Sequence, residues 1–567
     1  MKKPAFRKKS GATDTAPEAA PGRASDGAPA PKGSSVARTT RSLLAAGVVL
    51  AAVFGIAELR PPAAPARTDR ATATSAQVER STAVCPQPLQ GLTGATTLTA
   101  YTPPGSGSGS GSGEAAGGAG WLSDAAAPAA PPATAAPSAA PAAPAATGAP
   151  AAPTAAPAPA KDAAPSDARL TLAKPGTPVT GPAANGDIAP GTGAVATGAL
   201  APGFTVTQTT TVTEQRGLGL SGITCTPAGT GFWFVGASTA EGRTDYISLV
   251  NTESSAAVVD LKLYGDKGLI ENDAANSITV APGSSQSVLL PTLSKGQVAD
   301  LAVHVVARTG RVGAALHAAD GSKGADWVPA SADPAAVQVL PGLPADTSAA
   351  HLVVWAPPED DADLKIELSG KNGWFTPAGN ESIHVKAGMV AAVDLGKVTR
   401  DEVAGLRLSP SDAKHSTPVV AGLRIDRAAA NGKSDAAWLA GTVPVGARAT
   451  VADNRGGGAS TLFLTSTGEA ATVRVTSSAG TGGGTPATQE VQLPAGGTVA
   501  LPAPEPAGLN GSFALTVETV SGGPVAAARM LAIPSKDVPM FTVQALRDDR
   551  SSVKVPKAAQ DPGVVLR

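Results

Sequence analysis

An internal repeat in the C-terminal half limits how this chain can fold more than any other feature. Tyr246-Ile247-Ser248-Leu249 returns at an offset of about 105 residues as His351-Leu352-Val353-Val354. At the same offset Val259, Leu261 and Leu263 fall on Leu364, Ile366 and Leu368, and Gly265-Asp266-Lys267-Gly268 falls on Gly370-Lys371-Asn372-Gly373. Ser277-Ile278-Thr279-Val280, followed by Gly283, matches Ser382-Ile383-His384-Val385, followed by Gly388. Val288 and Leu290 match Val393 and Leu395, and Leu301 and Val303 match Leu406 and Leu408. A third copy follows with small slips. Its pairs are Leu462 and Leu464, Val473 and Val475, Val491 and Leu493 before Gly496, Val499 and Leu501, and Phe513 and Leu515. Each copy closes on small residues: Val312-Gly313-Ala314-Ala315-Leu316, Val419-Val420-Ala421-Gly422-Leu423 and Val525-Ala526-Ala527-Ala528.

These segments alternate apolar and polar residues at period two and are separated by Gly, Pro, Asn and Asp turns, the pattern of half-buried strands. Six or seven short strands per copy suit an immunoglobulin-like sandwich, whereas propeller blades run to about 40–50 residues. The predicted fold is therefore all-β, with three tandem immunoglobulin-like β-sandwiches at 204–330, 331–445 and 446–545. A polar tail, 546–567, is expected to fray.

The N-terminal half reads differently. The chain has 51 Pro and 65 Gly, with only 3% aromatic residues, and much of that bias is concentrated here. Residues 105–113 alternate Gly and Ser, and 125–160 are almost entirely Ala and Pro with some Thr. Such segments bury too little apolar surface to offset backbone entropy, and frequent Pro removes helix donors. The expectation for 61–203 is a mostly disordered Ala/Pro/Gly/Ser-rich spacer with one short strand at 76–86. An O-glycosylated Thr/Pro stalk is the compositional alternative.

Upstream, 43–57 form an uninterrupted apolar stretch. Before it lie Lys2, Lys3, Arg7, Lys8, Lys9, Arg23, Lys32, Arg38 and Arg41, against only Asp14, Glu18 and Asp26. The positive-inside rule leaves 1–41 as a disordered cytoplasmic tail and sends the C-terminal side out. This basic region is longer than that of an ordinary signal peptide, and the nearest small-x-small site, Ala64-Pro65-Ala66, is distant. Residues 42–60 are accordingly expected to be an uncleaved transmembrane signal anchor, with cleavage as the alternative. The net charge of −1 makes no electrostatic case for nucleic acid.

Cys85 and Cys225 both follow the apolar stretch. In an exported chain an even pair reads as a disulfide, against two unrelated thiols. A bond between them would turn the spacer from a free linker into a tethered excursion.

Candidate chemistry is sparse. His304 and His317 flank an expected hairpin at Thr309-Gly310, with Asp320 as the nearest third metal ligand, but the other copies do not repeat them. His384 has Thr279 and Gln492 as counterparts, so it reads as a solvent-facing strand residue. The acidic run 359–363 matches no defined calcium loop. Trp233, Trp327 and Trp438 fall near copy boundaries, where packing is the expected role. Trp374, just after the Gly370–Gly373 turn, is the best candidate for an exposed ligand contact. No nucleophile elbow, P-loop, HExxH or dinucleotide fingerprint occurs, so no catalytic residue, metal or cofactor is assigned.

Cys85-Pro86, Cys225 with Trp233 shortly after it, and Leu301-Ala302-Val303-His304-Val305 make the chain resemble a family of actinobacterial proteins of unassigned activity, membrane-anchored or secreted. That resemblance implies a β-rich ectodomain in the cell envelope and transfers no catalytic residue. The expected function is a non-enzymatic, single-pass ectodomain that binds or scaffolds an envelope glycan or a membrane partner. The alternative is a divergent envelope enzyme, or accessory subunit of a glycan-assembly system, with a site at 359–363 or around Trp374.

Overall fold

The computed structural model describes residues 74–89, 94–105, 118–125, 164–184, 189–212, 218–535 and 537–555. The predicted cytoplasmic tail and signal anchor lie outside these residues. Among the described residues no helix is long and apolar enough to cross a membrane.

The fold is all-β, as the alternation implies, and its strands pair into four two-sheet sandwiches. Sandwich I contains the strands Arg80–Cys85, Gly94–Tyr101, Gly120–Asp124, Leu170–Leu172, Val179–Pro182, Thr192–Thr197, Thr205–Val212 and Gly219–Thr224. Numbered in chain order, they pair 1-6-3-4 in one sheet and 5-2-7-8 in the other. Sandwiches II, III and IV run from Gly231 to Val328, Gln338 to Ala440 and Arg448 to Leu546, and each repeats that order. In II and III the fourth position is split between a short hairpin strand, Gly268–Ile270 or Gly373–Phe375, and a second strand, Ile278–Val280 or Ser382–Val385, both paired with the third.

Sandwich I redraws the expected boundaries. Residues 94–197 supply five strands where mostly spacer was predicted, and Thr205–Val212 and Gly219–Thr224 complete this sandwich instead of opening the next. The 76–86 stretch is two strands, Thr74–Gln77 and Arg80–Cys85, broken at Val78-Glu79. The signal was weak for a physical reason. The core here is Ala83, Ala100, Ala194 and Ala196 around Leu98, Leu122, Leu172 and Val206, so it lacks the Leu/Val/Ile alternation that marks the other copies. The Gly/Ser and Ala/Pro runs also fall between its second and third and its third and fourth strands, which destroys any constant offset.

Cys85 and Cys225 are joined by a disulfide across 140 residues, linking the end of the first strand to the residue after the eighth. The C-terminal tail is partly ordered. Ser552–Val555 pairs antiparallel with Thr74–Gln77, and the buried Asp549 carboxylate accepts from Arg448 Nε at 2.5 Å. The two ends of the described chain thus lie side by side.

The sandwiches close into a ring. The 1-6-3 face of each packs on the 5-2-7 face of the next: I on II, II on III, III on IV and IV back on I. Their eighth strands, Gly219–Thr224, Gly324–Val328, Ser434–Ala440 and Phe541–Leu546, meet in the same cyclic order. Large side chains cross these seams. Trp438 of sandwich III is fully buried among Phe234, Leu261 and Leu316 of sandwich II, and Phe541 and Val543 of IV enter the core of III. Burying such aromatic area is the main favourable contribution at these two contacts.

Candidate functional site

The seams repeat one local device. A turn joins the fourth and fifth strand positions of each sandwich, and its glycine takes a left-handed conformation: Gly176, Gly283, Gly388 and Gly496 have φ of 84°, 53°, 71° and 64°, where a Cβ is strained. At two seams the hairpin that follows the third strand of one sandwich reaches over this turn in the next. At seam II–III, Gly268 faces the Gly388 carbonyl, with 3.6 Å from a Cβ placed at Gly268. At seam III–IV, Gly373 faces the Ala495 carbonyl in the same way, at 3.4 Å.

Seam III–IV is filled by the chain itself. The Trp374 indole lies on Gly496, where a Cβ would come within 2.5 Å of Trp374 Cδ1. Its other side is covered by the Arg407 guanidinium, 4.2 Å from the ring centroid, while Glu367 holds Arg407 through Nε at 2.9 Å. Below them the Ser369 hydroxyl donates to the Gly496 carbonyl at 2.7 Å, and the Thr498 hydroxyl donates to Ser369 Oγ at 2.8 Å. Trp374 is therefore a half-buried plug between two sandwiches, in contrast to the exposed contact expected of it. The neighbouring Phe375 is the exposed ring, at 43%.

At seam IV–I the corresponding hairpin borders an open space. The hairpin tip of sandwich IV is Gly480-Thr481-Gly482-Gly483-Gly484 and carries no large side chain. Between it and the edge of sandwich I lies a cleft of about 510 Å³, lined by Arg169, Thr171, Val179, Thr180, Thr481 and Asn510 together with Leu170, Gly482 and Gly511. The nearest atoms to a Cβ placed at Gly176 belong to Pro104 of its own sandwich, at 3.8 Å. Arg169 is held by a bidentate pair with Asp124, which raises its pKa. Thr180 is tied to the Leu98 carbonyl at 3.2 Å. Among the described residues Leu170–Leu172 and Val179–Pro182 each end their sheet beside the cleft. A smaller space of about 10 Å³ between Val84, Ile223 and Ala315 has room for about one water.

A second polar cluster lies where the eighth strands meet. Asp326 Oδ1 accepts from the Gly222 amide at 2.9 Å, and Asp435 Oδ2 accepts from the Phe541 amide at 2.9 Å. Both residues are fully buried. Burial pushes Asp326 well above the usual carboxylate range, with Asp435 adding to the rise, and pushes Asp435 up to about 7. Each carboxyl ties its own sandwich to a neighbour, so the cluster reads as a structural hub.

The remaining sequence candidates are dispersed. His304 and His317 do not flank a hairpin, because Leu301–Thr309 and Gly313–Asp320 belong to opposite sheets and the chain crosses between them at Thr309-Gly310. His304 stacks on Trp233 at 3.9 Å, beside Trp355 and Tyr264 at seam II–III, and burial lowers it to about 4. His317 packs against Tyr246 and Trp327 near seam I–II, and burial lowers it to about 3. His384 is half-exposed and pairs with Asp363 and Asp361, which ties down the acidic run 359–363. Among the described residues no group of three His, Cys, Asp or Glu side chains is placed to hold a metal ion.

The cleft residues Arg169, Thr171 and Thr180 had no sequence signal, since they sit in what composition marks as spacer. Only the strand order of sandwich I, compared with that of the other three, assigns them to a seam.

Residues 179–504 match a family of unknown function, DUF5719, and the chain belongs to that family. The match starts at the fifth strand of sandwich I and ends in sandwich IV, so it takes in strands of all four. No curated protein and no solved structure is detectably similar to the chain.

Proposed function

We propose that this chain is a non-enzymatic binding module of the cell envelope. In this reading it is built as four tandem copies of one immunoglobulin-like unit and held outside the cell by an uncleaved anchor at 42–60, with 1–41 in the cytoplasm. The closing-seam cleft is its binding site. The observation that carries this is the open cleft of about 510 Å³ between sandwiches IV and I, where seam III–IV is instead packed around the chain's own Trp374. The cleft is shallow and largely open to solvent, so it suits a group docked on the surface more than an engulfed small molecule. The wall is polar but carries a single charged residue, Arg169, already neutralised by Asp124, so it suits a neutral group more than an anion.

The enzymatic alternative draws less support. Its two proposed loci are occupied structurally, 359–363 by His384 and the surroundings of Trp374 by Arg407 and Gly496.

A photocrosslinking residue at Thr171, in the full chain in its native cells, tests the site. An adduct that forms there, and not from the same residue at exposed Thr488 on sandwich IV, is the expected result. Equal adducts from both, or none from Thr171, would remove the cleft as the binding site. A mature N-terminus near Arg67 would overturn the anchor.

A further inference from the structure

We propose that sandwich IV holds a small inorganic anion of halide size on the buried Arg529 guanidinium, where its core meets sandwich I beside the hub of eighth strands.

The site begins as an exception to the repeat. In each sandwich the seventh strand lies between the second and the eighth. In sandwich II its core residue Leu316 stands between Ile247 and Val328, and in III Leu423 stands between Leu352 and Leu439. All six side chains are fully buried. Sandwich IV puts Arg529 at the same register, between Leu462 and Gln544. Leu462 beside it and Ala527 two residues before it belong to the apolar core of IV, so the guanidinium enters that core at its edge. Arg529 is wholly buried and Gln544 is 5% exposed. A cation and an amide therefore stand where two sister units pack leucine and valine.

That exchange is costly unless the polar groups are met. Arg529 Nη2 donates to the Ala452 carbonyl at 3.1 Å. Nε and Nη1 have no partner among the described residues, and neither side-chain polar atom of Gln544 has one. Each buried donor left unmet costs about 1–3 kcal/mol, and more when it is charged. The charge itself persists, since burial lowers Arg529 only to about 10. Among the described residues no carboxylate forms an ion pair with it. Asp453 acts on it from a distance and is engaged by Arg455 at 3.2 Å. Asp326 also acts from a distance, and burial pushes that carboxyl well above the usual carboxylate range, which weakens it as a countercharge.

The surroundings extend the row of donors. The Gln544 amide lies against Gly222 of sandwich I, where a Cβ would collide with it. Thr209 is the register partner of Gly222, and its buried hydroxyl has no partner among the described residues. The Thr542 hydroxyl, also buried, reaches the Gly222 carbonyl at 3.5 Å. Water would meet these hydrogen bonds without supplying a countercharge, whereas a halide accepts them and neutralises the guanidinium. The burial of every member limits the occupant to a few atoms.

The test compares thermal melts of the purified full chain in sodium bromide, sodium chloride and sodium gluconate at equal ionic strength. Halide is expected to raise the melting temperature by about 1–3 °C over gluconate. Arg529→Leu, which installs the residue of the sister units, is expected to fold and to lose that difference. Crystals soaked in bromide are expected to show an anomalous peak against Arg529. An equal halide effect on wild type and Arg529→Leu overturns the proposal, as do crystals without bromide at Arg529, and leaves water on these groups. A peak with no halide effect on the wild-type melt means binding at crystal concentration only and also overturns it. If Arg529→Leu does not fold, the wild-type melts and the bromide peak decide together.

Discussion

Seam III–IV and seam IV–I are built from the same parts and are finished differently. At both, the hairpin after the third strand of one sandwich approaches the fourth and fifth strands of the next. One tip is Gly373-Trp374-Phe375 and the other Gly480-Thr481-Gly482-Gly483-Gly484. Replacing a large ring by glycines converts a packed contact into a cleft without altering strand order. Sandwich III closes its core with Leu340, Leu352, Ile366 and Leu423. Sandwich I does so mostly with alanine and a disulfide. A thin core and an open seam therefore fall in the same sandwich, and the ring and the cross-link hold it in place.

The sharpest way to break the comparison is to remove the cross-link. Cys85→Ser with Cys225→Ser should cost about 3–5 kcal/mol, since it frees a loop of 140 residues in the unfolded state. Hydrogen exchange should rise in Arg80–Cys85 and Thr205–Val212 and stay unchanged in Ala362–Gly370. Equal loosening of I and III would show that the two do not differ in self-sufficiency.

Trp438→Ala removes a fully buried indole that also donates to the Gly236 carbonyl at 3.3 Å, and should cost about 3–5 kcal/mol in chemical denaturation. A loss under about 1 kcal/mol would mean that seam II–III is not held by its aromatic packing.

Trp374→Ala makes seam III–IV resemble seam IV–I. The ring is half-buried, so the expected loss is smaller, about 1–3 kcal/mol. Indole added to this variant should restore part of it. Absence of rescue would mean that the ring does not hold this seam by its packing alone.

At the hub, Asp435 has a folded pKa of about 7, above its unfolded value. The folded state therefore binds the proton more tightly, and this group's contribution is full below about pH 4 and is lost as pH rises towards 7. His304 and His317, lowered to about 4 and 3, act in the opposite sense, since the unfolded chain gains their protons below about pH 6.5. The stability difference between wild type and Asp435→Asn should fall across pH 4–7 by at most about 1.4 kcal/mol per unit. A pH-independent difference would show that Asp435 does not titrate there.

The smallest effect is expected at His351, which faces Asp300 of sandwich II at 2.7 Å and Asp394 at 2.6 Å. The Asp300 bond raises its pKa despite partial burial, with Asp394 contributing less. Its contribution is full below about pH 6.5 and is lost as pH rises through the folded value. His351→Gln should lower the melting temperature slightly at pH 5.5 and not at pH 9. An equal drop at both would make the contact steric, not ionic.

Much of the fold was legible from residues alone. The period-two runs Leu364-Lys365-Ile366-Glu367-Leu368 and Val473-Arg474-Val475 declare strands with one buried face, and the constant offset declares copies of one unit, because alternation and turn glycines are local properties. The pairing of Cys85 with Cys225 was also within reach, from cysteine count and expected compartment. Sandwich I was not legible. Thr192-Gly193-Ala194-Val195-Ala196-Thr197 carries little hydrophobic contrast, and it forms a strand because partners on both sides supply its hydrogen bonds and cover its small side chains. The ring, the role of Trp374 and the cleft beside Arg169 belong wholly to the tertiary structure. Whether a tryptophan is exposed or seated on a glycine, and whether a seat is filled or open, depends on residues more than a hundred positions away, and no local pattern carries that.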